Sequence, residues 1–214
     1  MKTITELNKL TGGLSRPSKM PCHSFSLPAS TCKRGAELAK IKGTVCNSCY
    51  AMKGRYRFSN VQKAQQRRYD LLMADKHDAY FTWTENMIQL IYQKEKSDYF
   101  RWHDSGDIQD VDHLWAINYI AERLDSIQFW LPTRELDIVR ALKKEIDGEL
   151  SPNLLIRISA DAVSEKELHQ SGFQTSSVNA GYGWQCPAPS YRGKCNKCRA
   201  CWQYNIKNVD YALH

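Results

Sequence analysis

Eight cysteines and one acidic loop are the residues of this chain whose types and spacing could do chemistry. Cys195, Cys198 and Cys201 stand at three-residue intervals in "CNKCRAC", and Cys186, followed by a proline, supplies a fourth sulfur upstream. A C-x2-C-x2-C run with a remote cysteine-proline is the spacing that wraps a four-iron cluster in ferredoxin-like sites, here in the opposite chain order. Four thiolates also close a tetrahedral zinc site, so the spacing predicts [4Fe-4S] or zinc without choosing between them. Cys22, Cys32, Cys46 and Cys49 are looser: "CNSC" is a good half-site, its partners lie in proline-rich chain, and His23 is an alternative ligand. They predict a second four-cysteine site, or one centre drawing on both groups. Either would serve folding first, because so irregular an arm has little core of its own and metal binding supplies folding free energy.

The acidic loop lies in "YFRWHDSGDIQD", residues 99–110. Asp104 and Asp107, with His103 and Ser105, are the candidate catalytic groups. Two carboxylates in one loop can part in pKa, leaving one as base or nucleophile and the other as acid. Gly106 lets the backbone approach a ligand.

Positioning these groups takes regular elements. Residues 1–58 read as a loop-rich, cysteine-containing arm broken by Pro17, Pro21 and Pro28. Residues 59–182 hold helices and βα units, and 183–214 are a cysteine-rich, metal-binding end; the whole reads as one domain, 1–214. Two helices follow Ser59, with Val61, Ala64, Tyr69 and Leu72, then Phe81, Met87, Leu90 and Ile91, at helical spacing. "YFRWHD", "IQFWLPT", "NLLIRISAD" and "QTSSVNA" read as strands, separated by helices near 111 to 124, 134 to 147 and 164 to 170. This alternation predicts an α/β fold, a small parallel sheet or a partial TIM-like barrel.

Parallel folds bind ligands at the carboxyl ends of their strands. The polar residues here stand at those ends: His103 to Asp107, then Thr133 and Arg134, then Arg157, Ser159 and Asp161, then Asn179. Arg134 and Arg157 are expected to bind an anionic group or keep a carboxylate ionised. Helix capping is the competing duty, with Asp110 or Asp112, Thr133 and Ser164 as the caps.

The totals narrow the classes. At 42% apolar and 25% charged residues, the composition is that of an ordinary globular protein. No apolar run is long enough to span a bilayer and the start lacks a signal-peptide centre, so the expectation is a cytoplasmic protein without a membrane partner. The net charge of +7, with "KRGAELAKIKG", "MKGRYRF" and "KAQQRR" in the first third, favours nucleic acid or another polyanion as partner. Radical chemistry with S-adenosylmethionine suits a barrel with a cluster, but its C-x3-C-x2-C loop is missing from both cysteine groups.

The order "SLPASTC…CNSCYAMKGRY…HDSGDIQ…PTR…RISAD…CNKCRACW" resembles the bacteriophage gene product 88 family over roughly residues 22 to 202. That resemblance implies a phage or prophage origin, hence the cytoplasm of an infected bacterial host. Locally, "HDSGDIQ" and "LPTR" resemble elements of tRNA-guanine transglycosylases and their phage DNA-modifying relatives. This second resemblance implies base exchange, with Asp104 at the base and Ser105, Gly106 and Gln109 beside it. Asp107 replaces a glycine of that pattern and no aspartate precedes "LPTR", so the nucleophile would be Asp107 or Asp161. The expectation is therefore a phage metalloenzyme acting on nucleic acid or a nucleobase. Its rivals are a non-catalytic metal-stabilised module binding nucleic acid or a host protein, and an iron–sulfur redox or radical enzyme.

Overall fold

The apolar runs become parallel strands in the computed structural model, which describes residues 1–165 and 172–213. The helices are α1 (Ile4–Thr11), α2 (Lys33–Leu38), α3 (Ser59–Ala74), α4 (Phe81–Lys94), α5 (Val111–Arg123) and α6 (Leu136–Glu145). The strands are β1 (Ser24–Phe25), β2 (Tyr99–Trp102), β3 (Gln128–Thr133), β4 (Leu154–Ser159), β5 (Gln174–Val178), β6 (Trp184–Gln185) and β7 (Asn208–Tyr211). They form one sheet in the order β1-β2-β3-β4-β5-β7-β6, every neighbouring pair parallel.

The sheet is open, with β1 and β6 at its edges, so the small parallel sheet of the two expected architectures is the observed one. It also draws on all three segments. The arm supplies β1, and the cysteine-rich end supplies β6 and β7, strands too short to show a period in the sequence. No described helix is long and apolar enough to cross a membrane.

Alternation along the strands divides the core. Phe100 and Trp102 of β2, Phe129 and Leu131 of β3, and Leu154, Ile156 and Ile158 of β4 pack with Trp83, Met87, Leu114, Ile117, Val139 and Leu142 of the helices. The intervening residues face the other way. Tyr99 and Trp130 there join Cys22, Cys201, Trp202 and Val209 in a second buried cluster. The cysteine-rich end thus covers the sheet face that the helices leave free.

Side-chain caps start α1 and α5. Asp110 takes the cap of α5, accepting from His113 N at 2.9 Å, while Asp112 lies in the first turn. Thr133 does not cap α6, whose N-cap is Glu135, but its hydroxyl accepts from Glu135 N at 3.0 Å just ahead of the helix. Glu165 bonds the backbone N–H groups of Asp161 and Ala162. Most of the short helix expected near 164 to 170 lies outside the described residues.

Candidate functional site at the carboxyl edge

At the end of β2, His103 takes φ 51 and turns the chain. Its ring goes into the helix-side core, within 6.3 Å of the Phe25 ring and 5.5 Å of the His113 ring, and burial holds its pKa well below the usual range. His103 is therefore a core residue and not a group at the edge. No pattern marks this, because an apolar environment leaves no trace in the identity of a lone histidine.

The two carboxylates part ways. Asp104 accepts from the Ser24 hydroxyl at 2.7 Å and the Tyr56 hydroxyl at 3.0 Å, turning toward β1 and the arm. Asp107 turns toward β3, accepting from the Thr133 hydroxyl at 2.6 Å, Arg134 N at 3.0 Å and Ile108 N at 2.8 Å. Burial raises the Asp107 pKa to about 6, and these three donors oppose the rise. Between them Gly106 takes φ 78, and a Cβ there would stand 2.6 Å from Leu27 Cβ. Ser105 is buried, its carbonyl accepting from Leu27 N at 2.9 Å and its hydroxyl unpartnered. The Gln109 amide donates to Asp107 O at 2.7 Å, propping the loop from behind. Ser105 and Gln109 serve the loop's shape.

The arm crosses this edge. Arg34 N donates to Glu135 at 2.8 Å and the Arg34 guanidinium to Asp161 at 2.7 Å, while Val45 N donates to Asp161 O at 2.9 Å. Arg134 donates to Ala160 O and stands 4.0 Å from Asp161. Asp161 is thus engaged by the arm. The same crossing brings three cysteines to the strand ends. A Cβ on Gly35 would lie 3.6 Å from the sulfurs of both Cys32 and Cys46 and 2.9 Å from Cys32 Cβ, so glycine keeps the space between those thiols. Cys49 follows in the same turn, its N–H donating to Cys46 O at 3.2 Å. Burial raises the Cys32 pKa, and the charges of Asp107, Cys49, Cys46 and Glu135 raise it further. On Cys46, burial raises the pKa while Arg134 lowers it.

Cys22 does not belong to this group, contrary to the spacing-based expectation. It is fully buried in the second cluster with Cys201, Cys186 and Cys198 packed around, and burial raises its pKa to about 12. Cys195 joins them, 3.8 Å from the Met20 sulfur. The grouping is three and five rather than four and four, because β1 lies between Cys22 and Cys32 and sends them to opposite parts of the sheet. His23 is tied to Glu95 through Nδ1 at 2.9 Å. All eight cysteines are free thiols. Among the described residues, no three His, Cys, Asp or Glu side chains converge on a metal position as they stand.

Three expected edge residues do other work. Arg157 is fully buried and donates to the carbonyls of Cys201, Thr175, Ala200 and Gln203, fastening the cysteine-rich end. Ser159 pairs with the Ser176 hydroxyl at 3.2 Å, and Asn179 accepts from Leu213 N at 3.0 Å. Tyr56 serves Asp104, and of the basic helix α3, Arg68 is buried on Gly13 O and the Ser26 hydroxyl and Arg67 donates to Gly12 O. Exposed basic residues near the edge include Lys53, Arg55 and Arg57, beside the exposed Met52 and Phe58.

A family model described as Gene product 88 matches residues 2–204. Comparison with curated proteins and with solved structures gave no match.

Proposed function

The chain belongs to the gene product 88 family, and from the geometry of its carboxyl edge we propose that it is a phage thiolate-metal enzyme acting on nucleic acid or a nucleobase in the cytoplasm of an infected host. One observation carries this reading: Cys32, Cys46 and Cys49 gather beside Asp107, Arg134, Glu135 and Asp161 at the strand ends. Three thiolates leave a metal one open coordination position, the arrangement of catalytic and not structural sites. The space that Gly35 keeps between two of the sulfurs fits such a group. When bound, it supplies Lewis-acid chemistry as zinc, or electron-transfer and radical chemistry as an iron–sulfur cluster.

The chain's own residues have definite duties in this reading. Asp107 and Glu135 hold or move a proton beside the thiols. Arg34 and Arg134 pair with Asp161 and lock the arm over the strand ends. Lys53, Arg55 and Arg57 meet phosphates, and Phe58 offers a ring on which a base can stack. Base exchange by a free carboxylate is less well supported, since Asp104 and Asp107 each spend both oxygens on donors.

The test compares anaerobically purified wild type with a chain carrying Cys32→Ala, Cys46→Ala and Cys49→Ala. The wild type is expected to hold one more metal centre by iron, zinc and sulfide analysis. Host DNA and RNA from cells expressing each are digested to nucleosides and compared by mass spectrometry. A modified nucleoside is expected with the wild type alone. Equal metal contents would remove the edge centre, and identical nucleoside profiles would remove the nucleic-acid substrate.

A further inference from the structure

The second thiol group is flanked by more positive charge than its hydrogen bonds account for. All the described hydrogen bonds of buried Arg157 go to backbone carbonyls, those of Cys201, Thr175, Ala200 and Gln203. Arg101 lies 4.5 Å from the centroid of the Trp130 ring, donates to the Tyr50 hydroxyl at 3.3 Å and contacts the Met20 sulfur at 3.8 Å. Its Nε is buried without a partner. Among the described residues, neither guanidinium has a carboxylate hydrogen bond or ion pair. Trp130, 4% exposed and in one cluster with Cys22 and Cys201, also has an indole N–H with no acceptor. Buried cations and donors left unmatched are costly. Sulfurs share their space: the Arg101 charge acts on Cys22 and Cys195, besides Tyr50, Tyr56, Tyr211 and the Asp104 carboxylate, and the Arg157 charge acts on Cys201 and Tyr211.

We propose that Cys186, Cys195, Cys198 and Cys201 bind a soft metal centre as thiolates, either a zinc ion or a four-iron cluster, with Arg101, Arg157 and the Trp130 N–H compensating its charge. Four thiolates on either group leave about two negative charges, which the buried Arg157 and the half-buried Arg101 oppose. Each thiol releases its proton to solvent as its metal–sulfur bond forms, and no electron is transferred. The turn that presents two of the sulfurs is already formed, Cys198 N donating to Cys195 O at 2.9 Å. Among the described residues the four sulfurs do not converge as they stand, and one staggered χ1 step moves a cysteine sulfur by about 3 Å. Cys22 is the fifth thiol, packed against the group from just ahead of β1. This centre does not rest on the edge reading, since the two groups share no cysteine.

Cobalt(II), added anaerobically to the reduced, metal-stripped full chain, is the probe. The triple variant lacking Cys32, Cys46 and Cys49 is expected to bind one cobalt with the thiolate-to-metal charge transfer and intense visible bands of a tetrahedral tetrathiolate. Adding Cys195→Ser and Cys198→Ser to that background is expected to abolish those bands. Arg101→Gln in the triple variant is expected to release cobalt to a chelator about tenfold faster, with Arg101→Lys restoring most of the difference. A folded triple variant with no tetrathiolate spectrum overturns the site, and this reading needs no substitution in the second group. Unchanged release from Arg101→Gln overturns the charge compensation. Loss of the edge centre together with survival of this one separates the two readings.

Discussion

The Thr133 hydroxyl donates to Asp107 at 2.6 Å while accepting from Glu135 N at 3.0 Å, so one side chain joins the loop after β2 to the start of α6. Thr133→Val keeps the shape and removes both bonds, leaving a buried carboxylate one donor short. Stability is expected to fall by about 1–3 kcal/mol. Urea unfolding at neutral pH checks this, and an unchanged midpoint would mean that the bond contributes nothing.

Two groups oppose each other in acid. His113 is held neutral by burial with its pKa down to about 4, so between the ordinary value of 6.5 and that point the unfolded chain takes up a proton that the folded chain refuses. Stability from His113 is therefore present above pH 6.5 and is lost as pH falls toward 4. Asp107, raised from 3.8 to about 6, binds its proton first in the folded state and favours folding as pH falls through that window. Each is worth about 3 kcal/mol in full. Asp107→Asn is expected to make the urea midpoint drop more steeply than in wild type between about pH 6.5 and 4.5. Parallel curves would refute the assignment.

Gly106→Ala places a methyl 2.6 Å from Leu27 Cβ at φ 78. Both strain and overlap act, and a loss of about 2–4 kcal/mol is expected, read as a lower thermal midpoint. Gly54→Ala, at φ 52 with nothing within 4 Å, is the control and is expected to cost less.

Arg157→Met removes the donor to three carbonyls that fasten residues 200–203. A stability loss of about 3–5 kcal/mol is expected, with the cysteine-rich end cut first in limited proteolysis. A wild-type cleavage pattern would show that this end is held by other contacts.

Gly35→Ala separates metal binding from folding. Alanine is the better helix former in α2 by about 1 kcal/mol, yet its Cβ would press on Cys32 Cβ at 2.9 Å. The helix gain and the overlap oppose each other, and the expected result is a chain within about 1 kcal/mol of wild type in urea that retains less metal at the edge. Unaltered metal content would count against a centre between Cys32 and Cys46.

The periodic middle of the chain was readable because burial on two faces selects apolar residues at fixed intervals. The helix expected near 111 to 124 is α5, Val111–Arg123, and the strand expected in "IQFWLPT" is β3, Gln128–Thr133. The strand ends were readable as a polar edge, but not which way each side chain turns. Asp104 and Asp107 are three residues apart and bond opposite neighbours, a division set by the left-handed turn at Gly106. Arg157 misled for a related reason: a strand residue facing the sheet's second side meets whatever covers that side, here a segment more than forty positions onward. Cys22 misled because sequence proximity to Cys32 says nothing about the strand between them.

β7 pairs with β5 on one side and β6 on the other, so a later-made strand joins two earlier ones. On the ribosome, β6 emerges before β7 and has no sheet to join until β7 arrives. The segment between them carries Cys186, Cys195, Cys198 and Cys201. Whatever draws those four sulfurs together also shortens the tether between β6 and β7 and so lowers the entropy cost of pairing them.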